Sequence, residues 1–313
     1  MRKVLPVLLL GLGAFLVAAA IVALTWVPGQ VERTPLDTDN LTKLAGTVSV
    51  PNDQFVMEKG PAKAFSSNVV DSDASDADVA VFSTSLCLVH DVGGIDGCVD
   101  AKDPQKRLIN VEQAQFATDR YTAMTVPNDG YLPAGSPQLE GLQNKFPFNA
   151  EKKTYPVWDG VVGAAVDAAY EGEDTIDGLK VYKYAYTANV GPVNLVMDIT
   201  GTYFAKYEFY VEPKTGSIID QVVHQERIAH GVETILELDL EFTPEQIQTN
   251  VDDANAALSQ LKLLEVYVPI VGFVVGIPVM ILGGFMLFRG RRRKAATADA
   301  APPQETESET AGV

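Results

Sequence analysis

The chain is poor in the groups that most catalysis and metal binding rely on. Its 313 residues include only three histidines and two cysteines. The candidate bases are His90, His224 and His230, and none stands in a GxSxG or HExxH pattern. His224 and His230 share one side of a strand-like stretch, but two histidines are short of a metal set. Phosphate-binding loops and dinucleotide fingerprints are missing. Cys87 and Cys98 lack the CxxC spacing of a redox or zinc site. No cofactor or metal is therefore expected, and a non-enzyme is favoured. A hydrolase or transferase would have to rest on paired carboxylates, which spacing along the chain does not identify.

Positive charge is also scarce. Asp and Glu number 41 against 24 Lys and Arg, a net charge of −17. Several of the basic residues stand at the extremes of the chain (Arg2, Lys3, Arg289, Arg291, Arg292, Arg293, Lys294), which leaves the middle more acidic still. Such a surface repels phosphate backbones, so no nucleic-acid partner is expected. It also disfavours lying flat on anionic lipid. The acidic residues are scattered, as for a soluble domain, except at Asp71-Ser-Asp-Ala-Ser-Asp-Ala-Asp78. That segment reads as an acidic loop whose spacing misses the EF-hand pattern.

What the chain has is two uncharged apolar runs, Val4 to Val27 and Val266 to Phe288. Each exceeds the roughly 20 residues that cross a bilayer as a helix. Basic residues flank the outer side of both, which by the positive-inside rule predicts two cytoplasmic termini. The expected organisation is a cytoplasmic N-terminus (1–3), a transmembrane helix (4–27), an extracytoplasmic domain (28–265), a second transmembrane helix (266–288) and a disordered cytoplasmic tail (289–313). The alternative for the first run is a cleaved signal peptide, with Ala18, Ala19 and Ala20 as small residues for processing. Trp26 suits an interfacial position in a retained anchor.

Between the runs the texture is β. Val79 to Val89, Arg107 to Phe116, Leu179 to Val190, Thr202 to Val211, Ile218 to Ile228 and Val232 to Phe242 carry β-branched or alternating apolar residues. Period-2 patterning predicts largely antiparallel, half-buried strands. Glu212-Pro-Lys-Thr-Gly216 is a turn signal between two of them. At Thr243-Pro-Glu-Gln246 the pattern changes to a helix start, with Thr as N-cap. Ile247, Val251, Ala254, Leu258 and Leu261 follow at helical spacing, predicting an amphipathic juxtamembrane helix over 244–264 that packs on its own domain or meets a partner or lipid. Pro269 and Pro278 are expected to bend the second span. The fold class is thus mainly β (α+β) between two transmembrane helices. Cys87 and Cys98 fall in the exported region, around a loop holding Gly93, Gly94 and Gly97, and predict a disulfide.

The eleven tyrosines and thirteen phenylalanines cluster between Phe146 and Tyr210. Tyr182, Tyr184, Tyr186, Tyr203, Tyr207 and Phe209 are candidates to line a lipid cavity, or else form an ordinary β core. Two motifs then stand out. One is Phe146-Pro147-Phe148 leading to Tyr155-Pro156 and Trp158-Asp159; the other is Tyr210-Val-Glu212-Pro213-Lys-Thr215-Gly216. With the double-anchored layout they resemble the DUF3068, or porin PorA, family of mycolic-acid-bearing actinobacteria, which includes polar growth factor A. The resemblance implies a cytoplasmic-membrane protein whose periplasmic domain handles a mycolate-type glycolipid, trehalose monomycolate. It also implies work beside an RND-type exporter of that lipid and a role in envelope growth. It transfers no catalytic residues. A pore-forming barrel instead crosses lipid with strands that face apolar residues outward, which an acidic β region does not suit. A ligand-free scaffold or regulator of a lipid transporter remains the competing reading.

Overall fold

The computed structural model describes residues 4–298 except 197–198 and 232. It divides into two units, one formed by both helical ends and one spanning Glu32–Ser259.

The helical unit begins with α1, Val4–Thr25, followed by the short α2, Pro28–Val31. Its second part holds the end of α3, Pro244–Lys262, a π-helical turn over Leu263–Tyr267, and α4, Val268–Ala298. Pro269 has no N–H to complete a regular ladder, which fits the widened turn just before it. By length and composition α1 and the helical segment Pro244–Arg289 can each cross a membrane. α1 and α4 touch through small residues. A Cβ on Gly13 would lie 2.6 Å from the Gly276 carbonyl oxygen, and one on Gly272 2.7 Å from that of Leu16. This is the close backbone approach that small residues allow between helices. α4 runs through 289–298, where a disordered tail was expected; its Arg, Lys and Ala are good helix formers. The rest of that tail, and residues 1–3, lie outside the described residues.

The second unit is a ten-stranded antiparallel sheet. Its strands are β1 (Asp39–Pro51), β2 (Met57–Asp71), β3 (Val79–His90), β4 (Leu108–Asp119), β5 (Tyr155–Asp159), β6 (Ala164–Ile176), β7 (Leu179–Val196), β8 (Ile199–Val211), β9 (Ile218–Ala229) and β10 (Glu233–Phe242). The order is β4-β3-β2-β1-β10-β9-β8-β7-β6-β5, so the first and last strands of the chain meet in the middle. Leu44 pairs with Phe242, and the chain therefore enters and leaves the sheet at the same end. The alternating segments all form strands. β1 begins well before Thr47-Val-Ser-Val50, the stretch whose β-branched residues mark it in the sequence, and β2, masked by Gly60, Pro61 and its lysines, carries no such signal.

The 119–155 connection laces the two outer strands together. Val126 N–H donates to Ala117 O at 2.9 Å, Thr125 N–H to Gly141 O at 3.1 Å, and Leu142 N–H to Pro156 O at 2.8 Å. Bridges thus run from Thr118 to Thr125, from Met124 to Leu142, and from Leu142 to Val157. The sheet is curled toward a barrel and tied edge to edge at this end.

One face of the curl is the main core. Leu44, Val48, Ala64, Leu88, Leu236, Leu238, Leu240 and Phe242 fill one part, and the aromatics of β5–β8 fill another. The opposite face is covered in patches. α3 lays Val251 and Ala254 on Leu179, Val181 and Ile219, which settles its apolar stripe on its own sheet. Thr243 Oγ1 accepts from Gln246 N–H at 3.1 Å, as an N-cap should. The Gln246 side chain does not complete a capping box; it accepts from Lys43 N–H at 3.0 Å and so ties α3 to β1.

Candidate functional site

The two sequence motifs are halves of one junction. Phe146 N–H donates to Gly216 O at 2.9 Å, Asn149 N–H to Lys214 O at 3.0 Å, and Ala150 N–H to Pro213 O at 2.7 Å. Glu212 is buried and organises its own turn. Its carboxylate accepts from Thr215 N–H and Oγ1, both at 2.7 Å, and from Lys214 N–H at 3.0 Å. Lys214 and Asn149 both donate to Glu32. Phe148 stacks on Tyr121 with centroids 6.2 Å apart. Lys145 Nζ sits 3.7 Å over the Phe148 ring, and burial lowers its pKa to about 7.

Asp159 closes the first motif from inside the core. One carboxylate oxygen accepts from Val161 and Val162 N–H at 2.9 and 3.1 Å, which holds the β5–β6 turn. The other accepts from Tyr186 and Tyr203 hydroxyls at 3.1 and 3.0 Å. Burial raises both tyrosine pKa values far above normal, with neighbouring Tyr207 and the Asp159 carboxylate adding to the effect. Nearby, Gln225 Nε2 donates to Tyr207. Trp158 is half-buried against the cluster of Phe82, Phe116 and Leu139.

The five tyrosines and one phenylalanine expected to line a cavity form packed core instead. Tyr184, Tyr186, Tyr203 and Phe209 are buried. Tyr184 stacks on Phe146 at 4.6 Å and meets Tyr155 edge-on at 5.6 Å. Tyr186 stacks on Tyr207 at 4.9 Å. Tyr182 and Tyr207 are only half-buried, and Tyr182 meets Tyr170 edge-on. An aromatic-rich strand pattern serves a cavity or a core equally, and here ring-on-ring packing fills the space.

Open space lies on the other face of β2–β4. There Cys87 and Cys98 pair, with Cα atoms 5.8 Å apart. Their loop covers Phe65 and Val89 with Ile95, and Lys63 pins it through Asp91 at 3.3 Å. At the other end Val126, Tyr131 and Leu132 cover Val79, Val81 and Ala117. Between these covers the register aligns Ser67, Ser85 and Gln113 in one cross-strand row, and Val69, Ser83 and Gln115 in the next. The serines and glutamines of these rows, with Thr84, Ala114, Ser136, Pro137 and Leu139, line a groove of about 590 Å³. That falls within the ~300–1,000 Å³ of small-molecule sites. No lining residue is charged. Sequence reading missed these residues, because alternating Ser and Gln look like any wet strand face until the covering loops are placed.

Other candidates resolve into local structure. The acidic loop hydrogen-bonds to itself: Asp71 caps Asp73 and Ala74, and Asp76 caps Asp78 and Val79. Arg33 meets Asp78 at 2.6 Å. His224 Nδ1 lies 2.7 Å from Asp239. Among the described residues no three His, Cys, Asp or Glu side chains gather as for a metal ion.

Sheet, junction and groove define a class: a curled antiparallel β-meander on a chain with two membrane-length apolar helices, carrying an uncharged polar groove. A family model described as Porin PorA matches residues 5–285, and the chain belongs to that family. A protein named Porin PorA from Corynebacterium amycolatum is 26% identical over 245 residues, covering 64% of this chain and 60% of that protein. Another of the same name, from Corynebacterium resistens, is 26% identical over 230 residues, covering 62% and 54%. The match therefore spans little more than half the length of these relatives.

Proposed function

We propose that this chain is a non-enzymatic protein of the cell envelope, whose β domain binds a mycolate-type glycolipid such as trehalose monomycolate. The observation that carries this reading is the groove. In a chain of net charge −17, its lining of serine, threonine and glutamine is uncharged. Hydroxyl and amide groups both donate and accept, which suits a neutral, polyhydroxylated head group. Val69 and Val111 are exposed on the rows that hold and flank it and offer apolar surface to the start of an acyl chain.

Two helices would hold the domain beside the membrane that supplies the lipid. Their flanking basic residues support cytoplasmic termini and an extracytoplasmic β domain. An RND-type exporter of the lipid is the partner class this reading carries. The relatives' name, porin, suggests passage of solutes instead. The glycine contacts between α1 and α4 leave no path between those helices.

The test is organic extraction of the purified full-length protein followed by mass spectrometry. A glycolipid should be recovered from the native chain and lost from Ser85→Glu/Gln113→Glu with the unfolding midpoint unchanged. A lipid-free native protein, indifferent to trehalose glycolipids, would leave the ligand-free scaffold in its place.

A further inference from the structure

The β1–β2 hairpin ends in a feature that neither its backbone nor the core explains. Phe55 adopts φ 59°, a left-handed conformation that suits Gly or Asn and is an outlier for a bulky side chain. Among the non-glycine residues described at positive φ, it is the one large apolar side chain. The turn is held firmly: the Asn52 side chain accepts from Gln54 and Val56 N–H at 2.8 and 3.1 Å. Asn52 also pairs with Val56 and Phe55 through its backbone at 2.9 Å. Yet Phe55 is 80% exposed and Val56 beside it 56%. Backbone strain held in place under an exposed aromatic points to use rather than packing.

The hairpin's position adds a second observation. β1 and β10 carry the chain in and out at one end of the sheet. The turns β1–β2, β3–β4, β5–β6, β7–β8 and β9–β10 all lie at the other end. β1 has 13 residues, so the two ends stand about 40 Å apart at ~3.3 Å per residue. Val92 on the β3–β4 loop is 51% exposed and Val196 at the β7–β8 turn 40%. The β3–β4 loop adjoins the Phe55 turn, since Lys106 reaches Asp53 at 3.5 Å. Among the described residues the exposed apolar groups thus sit on several loop tips along one rim. Separate apolar tips suit a deformable surface into which each sinks alone. The domain's acidic charge directs that choice to neutral lipid.

We propose that this rim, led by Phe55 and Val56, docks on the surface of a neutral lipid layer, at the end of the sheet opposite the start of β1 and the end of β10. The proposal is independent of the groove and its ligand.

The full chain in lipid nanodiscs tests this against protein-free phosphatidylcholine vesicles, read by flotation. The native protein should float with the vesicles. Phe55→Asn/Val56→Ser should lower apparent affinity roughly tenfold, equivalent to about 1.4 kcal/mol. Asn accepts the left-handed turn, so the unfolding midpoint of that variant should hold or rise. Phosphatidylglycerol vesicles should be captured more weakly than phosphatidylcholine. Equal capture by native and variant chains, no capture by either, or capture of the anionic vesicles alone would overturn the proposal.

Discussion

Gly216 and Phe146, seventy positions apart in the chain, share a backbone contact too tight for any side chain. Phe146 N–H donates to Gly216 O at 2.9 Å. A Cβ on Gly216 would come 2.1 Å from the Phe146 carbonyl oxygen and 2.4 Å from that of Pro147. Gly216 also holds φ 73°. Gly216→Ala should therefore destabilise the domain by about 2–4 kcal/mol, from backbone strain and the forced separation of the two motifs. Phe146→Ala should cost about 3–5 kcal/mol. Because the residues touch, the double variant should cost less than both single losses combined. Denaturant unfolding of all three measures this; strict additivity would mean the motifs are energetically independent.

The Asp159 network predicts a second effect. Tyr186→Phe or Tyr203→Phe removes one of the two hydroxyl donors from a buried carboxylate oxygen, and each should cost about 1–3 kcal/mol. The native tyrosines also set an alkaline limit. Burial raises their folded pKa values above those of the unfolded chain. Their contribution is intact below the unfolded value near ~10. It is lost progressively as pH rises above that, because the unfolded chain ionises first. Tyrosinate absorbance and circular dichroism followed together from pH 9 to 12 should show these two groups titrating only as the sheet unfolds.

Lys145 predicts the opposite slope over a lower range. Burial depresses its pKa to about 7 from 10.5, although the Phe148 ring face favours the ammonium. Between those two values the unfolded chain holds a proton that the folded chain lacks, so stability rises with pH. Below about 7 the penalty is fully present. Lys145→Met should raise the unfolding midpoint at pH 6 and shrink the gap between pH 6 and pH 9. An unchanged gap would show that the ring contact cancels the burial.

The Cys87–Cys98 link holds the loop that covers Phe65 and Val89, beside the groove. Its sequence separation is 11, a short loop whose closure contributes roughly 2–3 kcal/mol. Cys87→Ser/Cys98→Ser should lower stability by that order and loosen the cover over Phe65 and Val89. Hydrogen exchange should speed up in β2 and β3 and stay unchanged in β7 and β8. Peptide mapping of the native protein without reductant checks the link directly.

Local pattern carried much of the architecture. Alternation in Leu179–Val190 and Val232–Phe242 marked β7 and β10. Thr243 announced the start of α3, and Glu212-Pro-Lys-Thr-Gly216 announced the β8–β9 turn. These signals depend on neighbours two to four positions away, which a linear reading sees. β2 escaped because Gly60, Pro61 and Lys63 dilute its pattern. Its place between β1 and β3, where Ala62 and Ala64 reach the core, is what makes it a strand.

The chain by itself determined two apolar helices, a run of antiparallel strands and the turn and cap residues between them, since each follows from local sterics and side-chain period. Only the tertiary structure decided that β1 lies beside β10, that Phe146 meets Gly216, and that the tyrosines of β7 and β8 pack ring on ring. It also decided that an ordinary row of serines and glutamines becomes the floor of a groove. Each of these depends on which strand edges pair and which loops fold over them. That choice rests on surface buried between residues far apart in the chain, and no local pattern records it.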